Sequence, residues 1–196
     1  MMQYRSLALN FHGRNFRPYY PPPNLLSNGR CDVFLSHRGI DTKTTVAPLL
    51  YDNLRRLGFS PFLDNKTLKP GDKLFHKINN AIFECKVGVA VFSPHYCESF
   101  FCLHELALML ERQKKLIPIF CDVKPSQLRV VDTRKLSVGP EQLRRFKWAL
   151  EEAKYTVGLT FDSSTGNFSD IVSCASDIII STMMELDDEN KLPMAV

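Results

Sequence analysis

From residue 31 onward the chain alternates short apolar runs with longer amphipathic ones. "CDVFLS", "FSPFLD", "VGVAVFS" and "LIPIFCDV" are apolar at most positions, and "VGLTFD" is a weaker fifth run. Apolar runs of roughly four to eight residues, bounded by turn signals, read as strands buried on both faces. The segments between them carry helical spacing. Residues 44–57 set Val46, Leu50, Leu54 and Leu57 on one stripe, and "DKLFHKINNAIFEC" does the same with Leu74, Ile78, Ala81 and Ile82. "ESFFCLHELALML" at 98–110 reads as a third helix, "PEQLRRFKWALEEAKY" as a fourth, and a last one runs from about Ser169 to Met184. Buried strands alternating with helices predict an α/β fold: a flavodoxin-like, doubly wound, five-stranded parallel sheet. Ligands in such folds sit outside the carboxyl ends of the strands. The segments to watch are therefore "SHRGIDT", "LDNKTLKPGD", "SPHYCES" and "DVKPSQLR".

The outer segments change the picture in one respect, the charge. Residues 1–29 include "RPYYPPPNLLSNG", whose proline run favours extended polyproline II, and they read as a flexible arm before a domain at 30–185. Residues 186–196 read as a frayed tail. The net charge is +4, and residues 1–30 hold Arg5, Arg14, Arg17 and Arg30 with no acid, which leaves 21 basic and 21 acidic residues for the rest. A neutral body argues against a broad nucleic-acid footprint and makes nucleic acid a secondary partner. The arm is acid-free like a transit peptide, but Ser6 and Ser27 are its only serines. The six cysteines form no C-x-x-C pair and sit largely in apolar runs, as free thiols in a reducing compartment do. No secretory apolar region follows the first Met, and no apolar run approaches the roughly 18 residues of a membrane span. Met2 excludes a myristoylation signal. The expected location is the cytoplasm or nucleus, without a membrane.

Candidate chemistry is sparse. There is no G-x-G-x-x-G and no Walker loop. His95, Cys97, Cys102 and His104 do not have zinc spacing, and Cys102 and His104 point about 200° apart on a helix, so no metal is expected. Ser36, Arg38 and Asp41 surround Gly39 after the first strand. They read either as a turn with a helix N-cap at Asp41 or Thr42, or as a cradle for phosphate. The loop from Asp64 to Leu74 carries Lys66, Lys69, Pro70, Gly71, Asp72 and Lys73. It reads either as a solvated loop or as a flap that also contacts a second copy. On the third helix Ser99 is an N-cap candidate. Glu105 shares a face with Glu98, Phe101, Cys102, Met109 and Arg112, while Leu103, Leu106 and Leu110 form the opposite stripe. That pattern sends the leucines into the core and turns Glu105 outward, as a solvated charge or a carboxylate held for chemistry.

Three ordered motifs resemble a plant-type TIR domain over Cys31 to about Met184. "DVFLSHRGIDT" is similar to the family's first strand and loop. "SPHYCESFFCLHEL" is similar to its third-helix motif, matching at Ser93, Tyr96, Ser99, Cys102, Leu103, Glu105 and Leu106. "IPIFCDVKPSQLR" is similar to the fourth strand and its continuation. With no nucleotide-binding or leucine-rich region in the sequence, the chain resembles a TIR-only protein. The resemblance implies an NAD-cleaving enzyme of plant immune signalling. Such enzymes release nicotinamide, make ADP-ribose or cyclic ADP-ribose variants that act on lipase-like signalling partners, and promote cell death. It implies Glu105 as the catalytic residue, Ser99 as its supporting serine, Phe101 as the site aromatic and Arg38 as the first-loop arginine. Gly39 and Cys102 stand beside them as expected substrate contacts. The Asp64–Leu74 segment corresponds to the family's BB loop, which gates the site and touches a neighbouring protomer.

One carboxylate suits this chemistry. The nicotinamide of NAD is a cationic pyridinium that leaves neutral, so no general acid is required, unlike ordinary glycoside cleavage. Positive charge builds on the ribose, and a carboxylate in a partly dry site stabilises it. No cofactor is expected; NAD is the substrate. Three positions depart from the family pattern: His37 for Phe, Phe101 for Trp, and Pro48-Leu49 for the Ser-His pair of one self-association contact. The rival expectation is a catalytically weak adaptor that signals by TIR–TIR binding.

Overall fold

A computed structural model describes residues 31–130, 136 and 138–189 of the chain. Five strands form one parallel sheet in the order β2-β1-β3-β4-β5: β1 Val33–His37, β2 Pro61–Phe62, β3 Val87–Phe92, β4 Lys115–Cys121 and β5 Leu159–Phe161. The main helices are α1 Val46–Arg56, α2 Leu74–Glu84, α3 Phe100–Glu111, α4 Pro140–Tyr155 and α5 Phe168–Glu189. The doubly wound sheet expected from the sequence is the one formed.

The alternation of each strand divides the core. Val33, Leu35, Val87, Val89, Val91, Ile117 and Ile119 face α1 and α5. Phe34, Ala90, Phe92 and Phe120 face α2, α3 and α4. β1 and β3 carry every residue buried, which is why their sequences show no period-2 pattern. The arm at residues 1–29 lies outside the described residues. Four of the six free cysteines, Cys85, Cys97, Cys102 and Cys121, are buried, and burial pushes each thiol up, to about 11 for Cys85 and Cys97 and about 12 for Cys121.

Several expectations are corrected. Leu57 closes α1 as its C-terminal cap and is only half-buried. Leu74 starts α2 but is 40% exposed, in a first turn exposed throughout, while Ile78, Ala81 and Ile82 reach the core. α5 continues to Glu189, so Leu186–Glu189 are helical rather than frayed. Leu186 packs on the core there, and Asp187 pairs with Lys86.

The chain order reverses between β1 and β3. α1 covers one face on the way to β2, and α2 crosses the other face on the way to β3. The loops leaving β1 and β3 thus meet at the carboxyl edge, the switch point where such sheets bind ligands. Asp41 fastens them together. Its carboxylate accepts from Ser93 Oγ at 2.6 Å, from the His95 amide at 2.9 Å, and bonds His95 Nδ1 at 2.7 Å. Burial opposes charge on Asp41, yet these donors hold its pKa below the ordinary carboxylate range. Asp41 is therefore a strap between loops rather than a helix cap.

Candidate active site

Ser99 begins α3 as its N-cap, in extended conformation, with its hydroxyl accepting from the Cys102 amide at 3.3 Å. Along the helix Cys102, Leu103 and residues 105–109 are buried, while Phe101 is exposed and His104 half-buried. Leu103 and Leu106 are fully buried in the core, and Cys102, Glu105 and Met109 reach the strands: Cys102 at the His37 carbonyl, Glu105 at Ser36 and Met109 over Gly88. Gly88 makes this approach feasible, since a Cβ there would collide with the Met109 thioether. The helix is therefore turned from the orientation its leucines predict. Leu110 is only half-buried, Met109 is fully buried, and Glu105 is 6% exposed rather than solvated. A helix apolar nearly all round has no single stripe to read, which is why the pattern misplaced Glu105.

Glu105 meets β1. Ser36 Oγ donates to its Oε2 at 2.6 Å, and the same hydroxyl lies 2.8 Å from Tyr96 Oη. Tyr96 in turn donates to the Cys102 carbonyl at 3.2 Å. The serine that holds Glu105 is thus Ser36, whereas Ser99 serves the helix terminus. Even position 36 of the strand faces the α3 side, the same parity as Phe34, so the strand alternation carried a signal for this contact. Tyr96 matched a motif but was given no role by the sequence; it is fully buried and backs the serine. Burial pushes the Glu105 carboxyl up to about 8, the Ser36 hydrogen bond pulls it back, and the charge of Asp64 adds to the rise. A carboxyl with this affinity holds a proton at neutral pH while shut, and ionises when water, a donor or a cation reaches it.

Arg38 follows β1 and is half-buried; its Nε is enclosed without a hydrogen-bond partner. A buried, unpaired guanidinium nitrogen is costly and marks a place where an acceptor fits. Gly39 opens the single helical turn Gly39–Thr42, with open space where a Cβ would stand. His37 at the end of β1 is buried and turns to the other side, 2.9 Å from Thr42 Oγ1 and 3.2 Å from Asp64 Oδ1. Burial works against charge on Asp64, but His37, the Asn65 amide and Lys43 outweigh it and keep the carboxyl low. The first residue of the loop is thereby moored to the site strand.

The loop itself starts as a helical turn, Asp64–Thr67, rather than as open chain. Lys66 reaches Asp52 on α1 at 3.4 Å. Pro70 and Gly71 form the corner of a turn in which the Asp72 amide donates to the Lys69 carbonyl and the Lys69 amide to the Asp72 carboxylate. Gly71 has φ 95°, the left-handed region that glycine enters without strain. Lys69, Pro70, Gly71 and Lys73 are exposed. Phe101, one turn above Glu105, is 39% exposed and lies against Phe75, the second residue of α2. The site is thus a buried carboxyl one turn along α3 from an aromatic lip, Phe101 against Phe75, with the segment that joins β2 to α2 tied to β1 through Asp64 and His37.

The four candidate metal ligands scatter. His95 binds Asp41, the Cys102 thiol donates to the His37 carbonyl, and His104 bonds Asn79 and Arg145, the last of these also paired with Glu111. Among the described residues no helix is long and apolar enough to cross a membrane.

The TIR domain profile matches residues 31–187. The chain is 50% identical over 162 residues to the "Probable 2' cyclic ADP-D-ribose synthase BdTIR" of Brachypodium distachyon, across 81% of this chain and 71% of that protein. It is 40% identical over 102 residues to "TMV resistance protein N" of Nicotiana glutinosa, but spans only 9% of that protein's length. Among solved structures, the TIR domains of the activated Roq1 resistosome superpose with a TM-score of 0.65 at 30% identity, covering 76% of this chain and 99% of that one.

Proposed function

Because this chain belongs to the TIR domain family, we propose that it is an NAD nucleosidase that releases nicotinamide and yields ADP-ribose and cyclic ADP-ribose variants in plant immune signalling. The observation that carries the reading is Glu105: one carboxyl, buried at the switch point, held by Ser36 beneath an exposed aromatic ring. The relative named as a cyclic ADP-ribose synthase supports it.

In this reading the bond between ribose C1′ and the pyridinium nitrogen breaks with its electron pair going to nitrogen. Nicotinamide leaves neutral, and no acid is needed. The cation left on C1′ is stabilised by ionised Glu105, most strongly where water is excluded. Water or a hydroxyl of the same ADP-ribosyl unit then adds at C1′ and gives up its proton, to the carboxylate and then to solvent. Arg38 supplies the unpaired nitrogen for a phosphate oxygen, and Gly39 lets that phosphate approach the backbone. Phe101 covers the departing base, with Ser99 and Cys102 fixing the start of α3 beneath it. NAD is the substrate, and no resident cofactor is required.

The closed site gives self-association its purpose. Displacement of the loop carrying Lys66, Lys69, Pro70, Gly71, Asp72 and Lys73 by a neighbouring TIR protomer would expose Glu105. The exposed Leu49, next to Pro48 on α1, stands where the family's Ser-His contact would be, so assembly is proposed to run through the loop instead. Lipase-like signalling proteins are the proposed readers of the products, nucleic acid is a lesser partner, and the site of action is the cytoplasm or nucleus. Chromatography of NAD incubated with concentrated purified protein tests the proposal. Wild type releases nicotinamide and Glu105→Ala does not; equal consumption by the two proteins would refute it.

A further inference from the structure

Phe75 is an odd residue for its place. It stands in the first turn of α2, directly after the loop, where an amphipathic helix normally presents polar groups, and it is 45% exposed beside an equally unusual Leu74. Exposed apolar residues that adjoin one another call for an explanation. Its ring lies 5.2 Å from that of Phe101, tilted by 31°, and its edge meets His104 at 5.6 Å and Phe100 at 6.2 Å. Phe100 and His104 are packed from behind: the two rings stack at 6.0 Å, and Phe100 rests on the buried Phe146. Phe101 meets the same backing through Phe100, 5.9 Å away, and Phe75 is the ring brought to the pair by α2, one residue beyond the loop's end.

Two parallel rings that enclose a third need their centroids about 7 Å apart, twice the roughly 3.5 Å contact distance of stacked carbon. At 5.2 Å the pair is shut against a planar guest and touches itself instead. An outward shift of the first turn of α2 by about 2 Å turns the pair into a slot one turn above Glu105.

We propose that Phe75 is the second wall of this slot and, with Phe101, takes a planar base of the dinucleotide between two rings; this rests on the NAD-cleaving reading. It gives the weaker ring at position 101 a partner that a single Trp would not need. Phe75 is thus a specificity-determining residue supplied by the gating segment, so closure of the loop and capture of the base are one event.

The test combines kinetics with a spectroscopic reporter. Phe75→Leu keeps apolar bulk but removes the ring; Phe75→Tyr restores a ring. Loss of one base–ring stack predicts a rise in KM for NAD of roughly 5- to 30-fold in Phe75→Leu, with kcat within about twofold of wild type and recovery in Phe75→Tyr. The reporter uses the chain's one tryptophan, Trp148, which lies 42% exposed on α4. In a Trp148→Phe, Glu105→Gln protein, Phe75→Trp leaves one indole at the slot, and NAD stacked on it quenches its fluorescence without being consumed. Quenching by NAD but not by ADP-ribose places nicotinamide in the slot; quenching by both places adenine there. Either result supports the proposal. Nicotinamide release by wild type together with unchanged KM in Phe75→Leu, or an indole that NAD leaves unquenched, would overturn it while the enzyme reading stands. No release by wild type would bring down both.

Discussion

Replacing Glu105 by glutamine isolates the free energy stored in its burial. Gln keeps the shape and an oxygen for the Ser36 hydroxyl but cannot ionise. In the unfolded chain Glu105 titrates near 4.5; in the folded chain burial carries it to about 8. Below the lower value both states hold the proton, and the carboxyl leaves stability untouched. Between the two, only the folded state binds it, so wild-type stability falls as pH rises, by about 1.4 kcal/mol per pH unit. Above the upper value both states are ionised and the difference stays constant. The full span of roughly three and a half pH units corresponds to about 5 kcal/mol, an upper figure because a site that admits water relaxes part of it. Urea unfolding of wild type and Glu105→Gln between pH 5 and 9 measures the gap, with every other titrating group cancelling in the difference. The two proteins should have similar midpoints near pH 5. By pH 8 the variant should be ahead by on the order of 3 to 5 kcal/mol, about 2 M in urea midpoint for a slope near 2 kcal/mol per molar. A midpoint difference that stays flat across this range would show that Glu105 is not held protonated in the folded chain.

Three further outcomes follow from the same contacts. Ser36→Ala removes the donor that pulls the Glu105 pKa down, so nicotinamide release, which needs the ionised form and rises with pH, should move to higher pH. The fold should lose about 1 to 3 kcal/mol, as Glu105 loses its donor and Tyr96 one of its two partners; an unmoved pH–rate profile would deny the role of the bond. His37→Phe, which restores the family residue, cuts the mooring of Asp64, so amide exchange over 64–73 should quicken and the Asp64 pKa should rise; unchanged exchange would mean the loop is held by other contacts. Gly88→Ala forces Met109 aside and should cost about 1 to 3 kcal/mol by thermal unfolding, with much of it recovered by Met109→Ala in the same chain; a neutral Gly88→Ala would show that α3 packs less closely on β3 than described.

The sheet was legible because its strands are apolar on both faces and its helices lie between them, a pattern that few topologies satisfy. The site was legible in part. Ser99 caps the helix it was expected to cap, and Arg38 follows β1 at the carboxyl edge, while Glu105 is buried against Ser36 rather than turned outward. What the pattern misread was rotation. α3 buries Cys102, Glu105 and Met109 as well as Leu103 and Leu106, so hydrophobic spacing alone could not choose its facing side. Three-dimensional neighbours were only half visible: the parity of Ser36 on β1 gives its face but not its partner 69 residues away, and His37 does not announce Asp64. The Asp41 strap fails for a related reason, since a short acid after a strand looks the same whether it caps a helix or crosses to another loop. Phe75 was passed over because the helical stripe was drawn through Leu74 beside it.

The sequestered sulfurs bear on how this domain fares under oxidants. Peroxide attacks the thiolate, and a cysteine titrating near 11, as Cys85 and Cys97 do, offers that form in about one molecule in ten thousand at neutral pH, against a few in a hundred for an ordinary one. A burst of reactive oxygen that silences thiolate-dependent enzymes should therefore reach these two positions far more slowly.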